Sequence, residues 1–176
     1  MNLQIFLASL TLLGHIVLIF GILAYFVSPN VKDYLRKHVS NYGYLISFFI
    51  ALFSVLGSLY FSEVIGWEPC VLCWYQRIAM YPLVIIFALG VWKQDLSARI
   101  YGLAIAAIGL VISIYQIYLQ ILTSFGQSLS GFCSTVGAIN CSEIYMLEFG
   151  YITFPVMAAT AFVFIILIQL IRPVIQ

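Results

Sequence analysis

"VLCWYQRIAMYPLVIIFALGVW" occupies residues 71–92, and its reading decides the fold. A helix needs about 20 apolar residues to cross a bilayer, and this run supplies them with Arg77 as its one charged side chain. Comparable runs lie at approximately 3–27, 44–65, 100–122 and 149–171. A backbone in lipid must satisfy its own hydrogen bonds, so uninterrupted apolar runs of this length predict helices. Barrel strands alternate polar and apolar residues over about ten positions, and these runs do not. The run at 3–27 has no Lys or Arg ahead of it and exceeds the about 7–15 residues of a signal-peptide core, so it is expected to be a retained helix.

Composition agrees. Hydrophobic residues make up 64% of the chain and charged residues 7%, against about 45–50% and about 25% in a soluble domain. So few charges cannot cover a water-facing surface. The expectation is an all-α integral membrane protein with five transmembrane helices, forming one membrane domain over residues 1–176. A net charge of +1, with no basic cluster interleaved with aromatics, argues against a nucleic-acid partner.

Lys and Arg accumulate in cytoplasmic loops. Lys32, Arg36 and Lys37 fall in the link 28–43, Lys93 and Arg99 in the link 93–99, and Arg172 in the tail. With five crossings these places share one side, which predicts the N-terminus outside and the C-terminus in the cytoplasm. The remaining basic residue is Arg77. Glu63, Glu68, Glu143 and Glu148 fall on the outer side, and so do all four cysteines: Cys70, Cys73, Cys133 and Cys141. Outside the cytoplasm disulfides persist.

Four cysteines allow three pairings, and three readings compete. Two structural disulfides would explain a Cys133–Cys141 staple, but a Cys70–Cys73 bridge closes too short a ring to remove much unfolded-state entropy. A zinc site fits the CxxC half only, because the second pair is spaced more widely than most zinc knuckles and no histidine is near. Thiol–disulfide exchange between two pairs fits both. Cys70 and Cys73 stand at a predicted helix start behind Pro69, where the helix dipole favours an anion. The second pair lies in a loop at 123–148 that is rich in Ser and Gly.

Arg77 follows Cys73 by four residues, on the same predicted face one turn deeper. A guanidinium at the hydrocarbon centre costs at least about 2.5–3.5 kcal/mol. It either snorkels, or pairs with Glu63 or Glu68, or steadies a negative charge formed inside the bundle. The last reading suits a Cys73 thiolate and the oxygen of a lipid-soluble electron acceptor such as a quinone.

"GSLYFSEVIGWEPCVLCWYQRIAMYPL" (57–83), "IGLVISIYQIYLQ" (108–120) and "GYITFPVMA" (150–158) resemble the DsbB/BdbC family of bacterial disulfide-generating membrane proteins. The resemblance covers helices two to five, residues 44–171, and implies a DsbB-like four-helix bundle plus one additional N-terminal helix. It implies a thiol oxidase of the bacterial cytoplasmic membrane with its cysteine loops outside. The enzyme would reoxidise a DsbA/BdbD-like thioredoxin-fold partner and pass the electrons to ubiquinone or menaquinone. By this resemblance the disulfides are Cys70–Cys73 and Cys133–Cys141. Cys133 forms the mixed disulfide with the partner, Cys141 couples to Cys70, and Cys73 is left as the thiolate facing the quinone. Arg77 matches the family's quinone-site arginine, with Gln116 and Trp74 as weaker quinone contacts. A DsbA-like partner near about −120 mV requires a still more oxidising acceptor, which a quinone can be.

Two departures stand out. The helix at 3–27, with His15, is additional to the four-helix core; His15 is expected to be a polar residue satisfied inside the bundle, with a quinone contact as the lesser alternative. Gln116 stands where relatives tend to carry a histidine, and an amide cannot be protonated near neutral pH. Trp67, Trp74, Tyr75, Tyr81 and Trp92 are expected as interfacial anchors, Pro82 and Pro155 as kinks. Gly102, Gly109 and Ser113 are expected at close helix contacts. The alternatives are a non-catalytic scaffold with two structural disulfides, and an enzyme of the vitamin-K-epoxide-reductase type, whose cysteine pairs usually come in the opposite order.

Overall fold

The computed structural model describes residues 2–126 and 141–171. Cys133, Arg172 and most of the expected loop at 123–148 lie outside the described residues. The helices are α1 (Asn2–Val27), α2 (Pro29–Leu59), α3 (Val71–Lys93), α4 (Leu96–Ser124) and α5 (Phe154–Ile171), with one π-helical turn at Tyr60–Val64. All five are long and apolar enough to cross a membrane. Among the described residues the only β feature is an isolated bridge between Glu148 and Ile152.

The expected link at 28–43 is instead helical. Ser28 alone is extended between α1 and α2, and Pro29, with no N–H to lose, opens the next helix. The 31 residues of α2 rise about 46 Å at 1.5 Å per residue, well beyond a hydrocarbon layer of about 30 Å. The surplus is its polar beginning, with Lys32, Asp33, Arg36 and Lys37. Tyr44 marks where α2 joins the bundle, its hydroxyl donating to the Asp95 carbonyl at 2.6 Å. The α3–α4 turn is tight for local reasons. Gln94 takes a left-handed conformation and bonds back to the Gly90 carbonyl, and Asp95 caps α4 by accepting from the Ser97 N–H. That bond holds the Asp95 carboxyl below its usual range.

α2, α3, α4 and α5 close a ring, each packed on the next and α5 back on α2. Phe87, Leu83, Phe162 and Ile165 fill its centre, fully buried. The small residues of α4 do what their spacing predicts. A Cβ on Gly102 would stand 2.7 Å from the Phe87 ring, and one on Gly109 would overlap Phe162; Ser113 is fully buried and bonds the Gly109 carbonyl at 2.9 Å. α5 starts at Phe154, later than expected, because Phe149 and Gly150 adopt positive φ in the turn before it. Pro155 therefore sits in the first turn, where proline costs no hydrogen bond, and Pro82 is the proline inside a helix.

α1 stands outside the ring, touching α2 and α5. Among its described residues only Ala8 is buried.

Overpacking a filled core costs about 1–3 kcal/mol. Gly109→Val should lower the thermal unfolding midpoint of the detergent-solubilised protein by several degrees. Gly21→Val, where a Cβ meets nothing within 4 Å, should leave it unchanged.

Candidate functional site

The start of α3 sets the site. Cys70 is the extended residue before the helix, and its Sγ accepts the Cys73 N–H at 3.3 Å, the position a Ser or Asp cap would take. Cys73 lies one turn in, with its Sγ 2.7 Å from that of Cys70. Both are free thiols in this structure. The unsatisfied N–H groups of a helix start favour negative charge beside them.

α4 brings Gln116 to the pair. Gln76, one turn along α3, donates from Nε2 to Gln116 Oε1 at 2.7 Å. That bond turns the other end of the Gln116 amide toward sulfur: Nε2 lies 3.3 Å from Cys70 Sγ and 3.4 Å from Cys73 Sγ. The same nitrogen lies 3.4 Å from the Cys141 carbonyl. Both glutamines are buried. Cys141 is also buried and packs in one cluster with Cys70 and Leu72. It is disulfide-bonded, and its partner is outside the described residues, so the expected Cys133–Cys141 pairing is too.

Arg77 is 7% exposed. Its Nε donates to Ser58 Oγ at 2.8 Å and an Nη to the Ser58 carbonyl at 2.9 Å. Its guanidinium lies 5.3 Å from the centre of the Trp74 ring. Ser58 immediately precedes the end of α2 and its π turn, a distortion frequent at functional sites. Two of five guanidinium donors are thereby used, and among the described residues no carboxylate pairs with Arg77. Neither Glu63 nor Glu68 neutralises it.

A cavity of about 660 Å³ opens beside these groups. Cys73, Gln76 and Arg77 line it; Cys70 does not. Gln116 and Trp74 are set back, the amide toward the sulfurs and the indole under the guanidinium. The two cysteines of one motif thus differ in surroundings: Cys70 belongs to the buried cluster with Cys141, while Cys73 borders that cluster and lines the cavity. The Cys70 thiol is pushed well above its ordinary range, first by its hydrogen bond with Cys73 and then by burial, so it keeps its proton in the reduced pair. Among the described residues no three metal-ligating side chains converge.

Two participants went unnoticed in the sequence. Gln76 carried a usable signal, a polar residue beside an arginine in an apolar run. Ser58 carried none, because serine sits anywhere in a membrane helix. His15 is satisfied at the α1–α5 seam, with its ring nitrogens 3.0 Å from Tyr151 Oη and 2.8 Å from Thr160 Oγ1.

Comparison with known proteins gives one answer. The family model "Disulfide bond formation protein DsbB" matches residues 40–171. A probable disulfide formation protein of Oceanobacillus iheyensis is 43% identical over 120 residues, covering 68% of this chain and 81% of the relative. A probable disulfide formation protein C of Halalkalibacterium halodurans is 42% identical, covering 77% and 96%. The SPbeta prophage-derived disulfide bond formation protein B of Bacillus subtilis is 39% identical, covering 73% and 83%. No solved structure matches the chain. With its helices all suited to a bilayer and its thiols gathered at one helix start, the chain belongs to the DsbB family, the multi-pass membrane proteins that form disulfide bonds.

Proposed function

We propose that the chain is a thiol oxidase that reoxidises an exported thioredoxin-fold disulfide donor of the DsbA or BdbD kind and passes the electrons to a membrane quinone. The observation that carries this reading is the division of the CxxC: Cys70 against buried Cys141, Cys73 against a cavity that holds an unneutralised Arg77. The basic start of α2 and the α3–α4 turn with Lys93 and Arg99 favour a cytoplasmic placement for the far end. The cysteines would then work on the outer face of a bacterial cytoplasmic membrane.

Each exchange conserves atoms and electrons. The partner's dithiol reduces Cys133–Cys141, with Cys133 taking the mixed disulfide, and leaves as a disulfide. The Cys141 thiolate then attacks Cys70 Sγ of an oxidised Cys70–Cys73 pair; that S–S bond breaks and Cys73 departs as the thiolate. Cys133 attacks Cys141 Sγ, restoring its own pair and freeing Cys70 as the thiol. A quinone in the cavity supplies the sink for the two electrons and two protons that Cys70 and Cys73 release on closing their bond again. The cavity's residues fit such a group: mostly apolar walls, one reactive sulfur, a guanidinium with donors to spare and, on the lining too, the Glu68 carboxylate, which does not pair with Arg77.

Three side chains hold the chemistry in place. Arg77, fixed by Ser58, stabilises negative charge on Cys73 and on an acceptor oxygen. Gln116, oriented by Gln76, donates to both sulfurs, which favours the thiolate without itself titrating. Cys70 keeps a proton that is released only as the disulfide forms.

Quinone reduction by the purified protein with a reduced DsbA-type partner, followed by absorbance, tests the reading. Wild type should turn over and Cys73→Ser should be inactive. Arg77→Ala should raise the quinone KM about tenfold or more, since hydrogen bonds to charged groups contribute about 1.5–3 kcal/mol and about 1.4 kcal/mol is tenfold. A wild type that leaves quinone untouched, with both disulfides closed in mild reductant, would make the cysteines structural.

The amide at 116 adds a pH test. Wild type should show no titration assignable to this position, whereas Gln116→His should introduce a new limb in the pH profile. Identical profiles for the two proteins would remove Gln116 from the sulfurs' hydrogen bonding.

A further inference from the structure

α1 lies outside the family match, which begins at residue 40, and the chemistry described so far makes no use of it. Its placement nevertheless bears on the cavity. Leu7, Thr11, Gly14 and Val17 form one side of the 660 Å³ space whose other sides are α2, α3 and α5. Without α1 the cavity would be an open groove along the α2–α5 seam.

Few contacts hold the helix, and they are specific. Leu7 reaches α2 beside Gly57, with Cδ1 3.8 Å from where a Cβ there would stand; the next residue is Ser58, which fixes Arg77. Gly14 brings α1 against α5, since a Cβ on it would come within 3.1 Å of the Phe164 ring. His15 completes the attachment. The Thr160 hydroxyl proton is committed to the Val156 carbonyl at 2.8 Å, so Thr160 accepts from His15 Nε2. Nδ1 is then the acceptor for the Tyr151 hydroxyl. Beyond this latch α1 has little grip, and Leu10, Leu13 and Val17 are each more than half exposed.

The α1 wall therefore has two levels. Leu7, beside Gly57 and Ser58, stands level with Arg77 at the Cys73 end, and Thr11 follows one turn on. Gly14 and Val17 lie about two and about three turns beyond Leu7, with Gly14 against Phe164 and Thr160 of α5. A space of this volume falls within the about 300–1,000 Å³ of sites that enclose drug-sized ligands, more than a quinone ring fills.

We propose that α1 is the outer wall of the electron-acceptor site, that the acceptor's isoprenoid tail lies along its Leu10–Val17 face, and that α1 thereby selects acceptors by their tails. This rests on the quinone reading above and adds a specificity determinant to it. The thin attachment of α1 gives the acceptor its way in: the helix can part from the seam without disturbing the four-helix ring.

The test compares a tailed quinone with a tailless, water-soluble one, using the full-length protein and its reduced partner. Val17→Trp fills the tail end of the space and should raise KM for the tailed quinone roughly tenfold with kcat unchanged, the mark of lost uniform binding. KM for the tailless quinone should stay within about twofold on the same reasoning. Phe20→Trp, on a lipid-facing residue that does not line the cavity, should behave as wild type. A tailed quinone with a photoreactive group at the tail's end should label the 10–17 peptide of α1. If wild type reduces both quinones, while Val17→Trp matches it and the label falls only on α2 to α5, α1 is not the wall. If wild type reduces neither quinone, the acceptor reading itself fails and this inference with it.

Discussion

Hydrocarbon offers no hydrogen-bond partner, so polar side chains carried into this bundle need one within the protein, and several find it on another helix. That constraint fixes the relative positions of the helices. Gln169 on α5 reaches Ser47 on α2 at 2.8 Å, Thr153 ahead of α5 reaches Gln120 on α4 at 2.9 Å, and Arg77 on α3 is tied to Ser58 on α2. Gln76 and Gln116 join α3 to α4 in the same way. Apolar packing closes the ring, but lipid tails compete for apolar surface and do not set a register. The polar cross-links do, and two of them adjoin the cysteines.

The surroundings of the two thiols follow from that register. A CxxC on a helix start puts one sulfur at the cap and the other a turn inside. Which surroundings each sulfur meets depends on what the neighbouring helices place there. Here α4 supplies an amide within reach of both sulfurs, Cys141 packs in one buried cluster with Cys70, and α2 holds a guanidinium beside the cavity that Cys73 lines. Two thiols of one motif meet different surroundings without any difference in their side chains.

Much of this was legible in the chain. The five crossings could be read because long apolar runs have few other uses, and the close contacts of Gly102 and Gly109 because a missing Cβ on a membrane helix marks proximity. Cys73 and Arg77 line one cavity, and their four-residue spacing places them on the same helix face. The helical start of α2 was harder to see, since its Lys and Arg cluster reads as a loop when only bilayer thickness is considered. Pro155 was misplaced because the positive-φ turn at Phe149 and Gly150 delays α5. The role of Gln116 depends on its orientation, which a bond from Gln76 decides and which no local pattern encodes. The α1 wall of the cavity is likewise a tertiary fact, invisible in a segment whose residues would suit any lipid-facing helix.

The proposed division of labour between Cys70 and Cys73 can be tested directly from the bonds they form. In Cys73→Ser and Cys70→Ser proteins, the remaining thiol of the pair can be trapped against the second pair and the cross-link mapped by mass spectrometry under non-reducing conditions. A Cys70–Cys141 bond in the first protein, and no Cys73–Cys141 bond in the second, is the expected result. Equal trapping in both, or a Cys73–Cys141 bond alone, would contradict it.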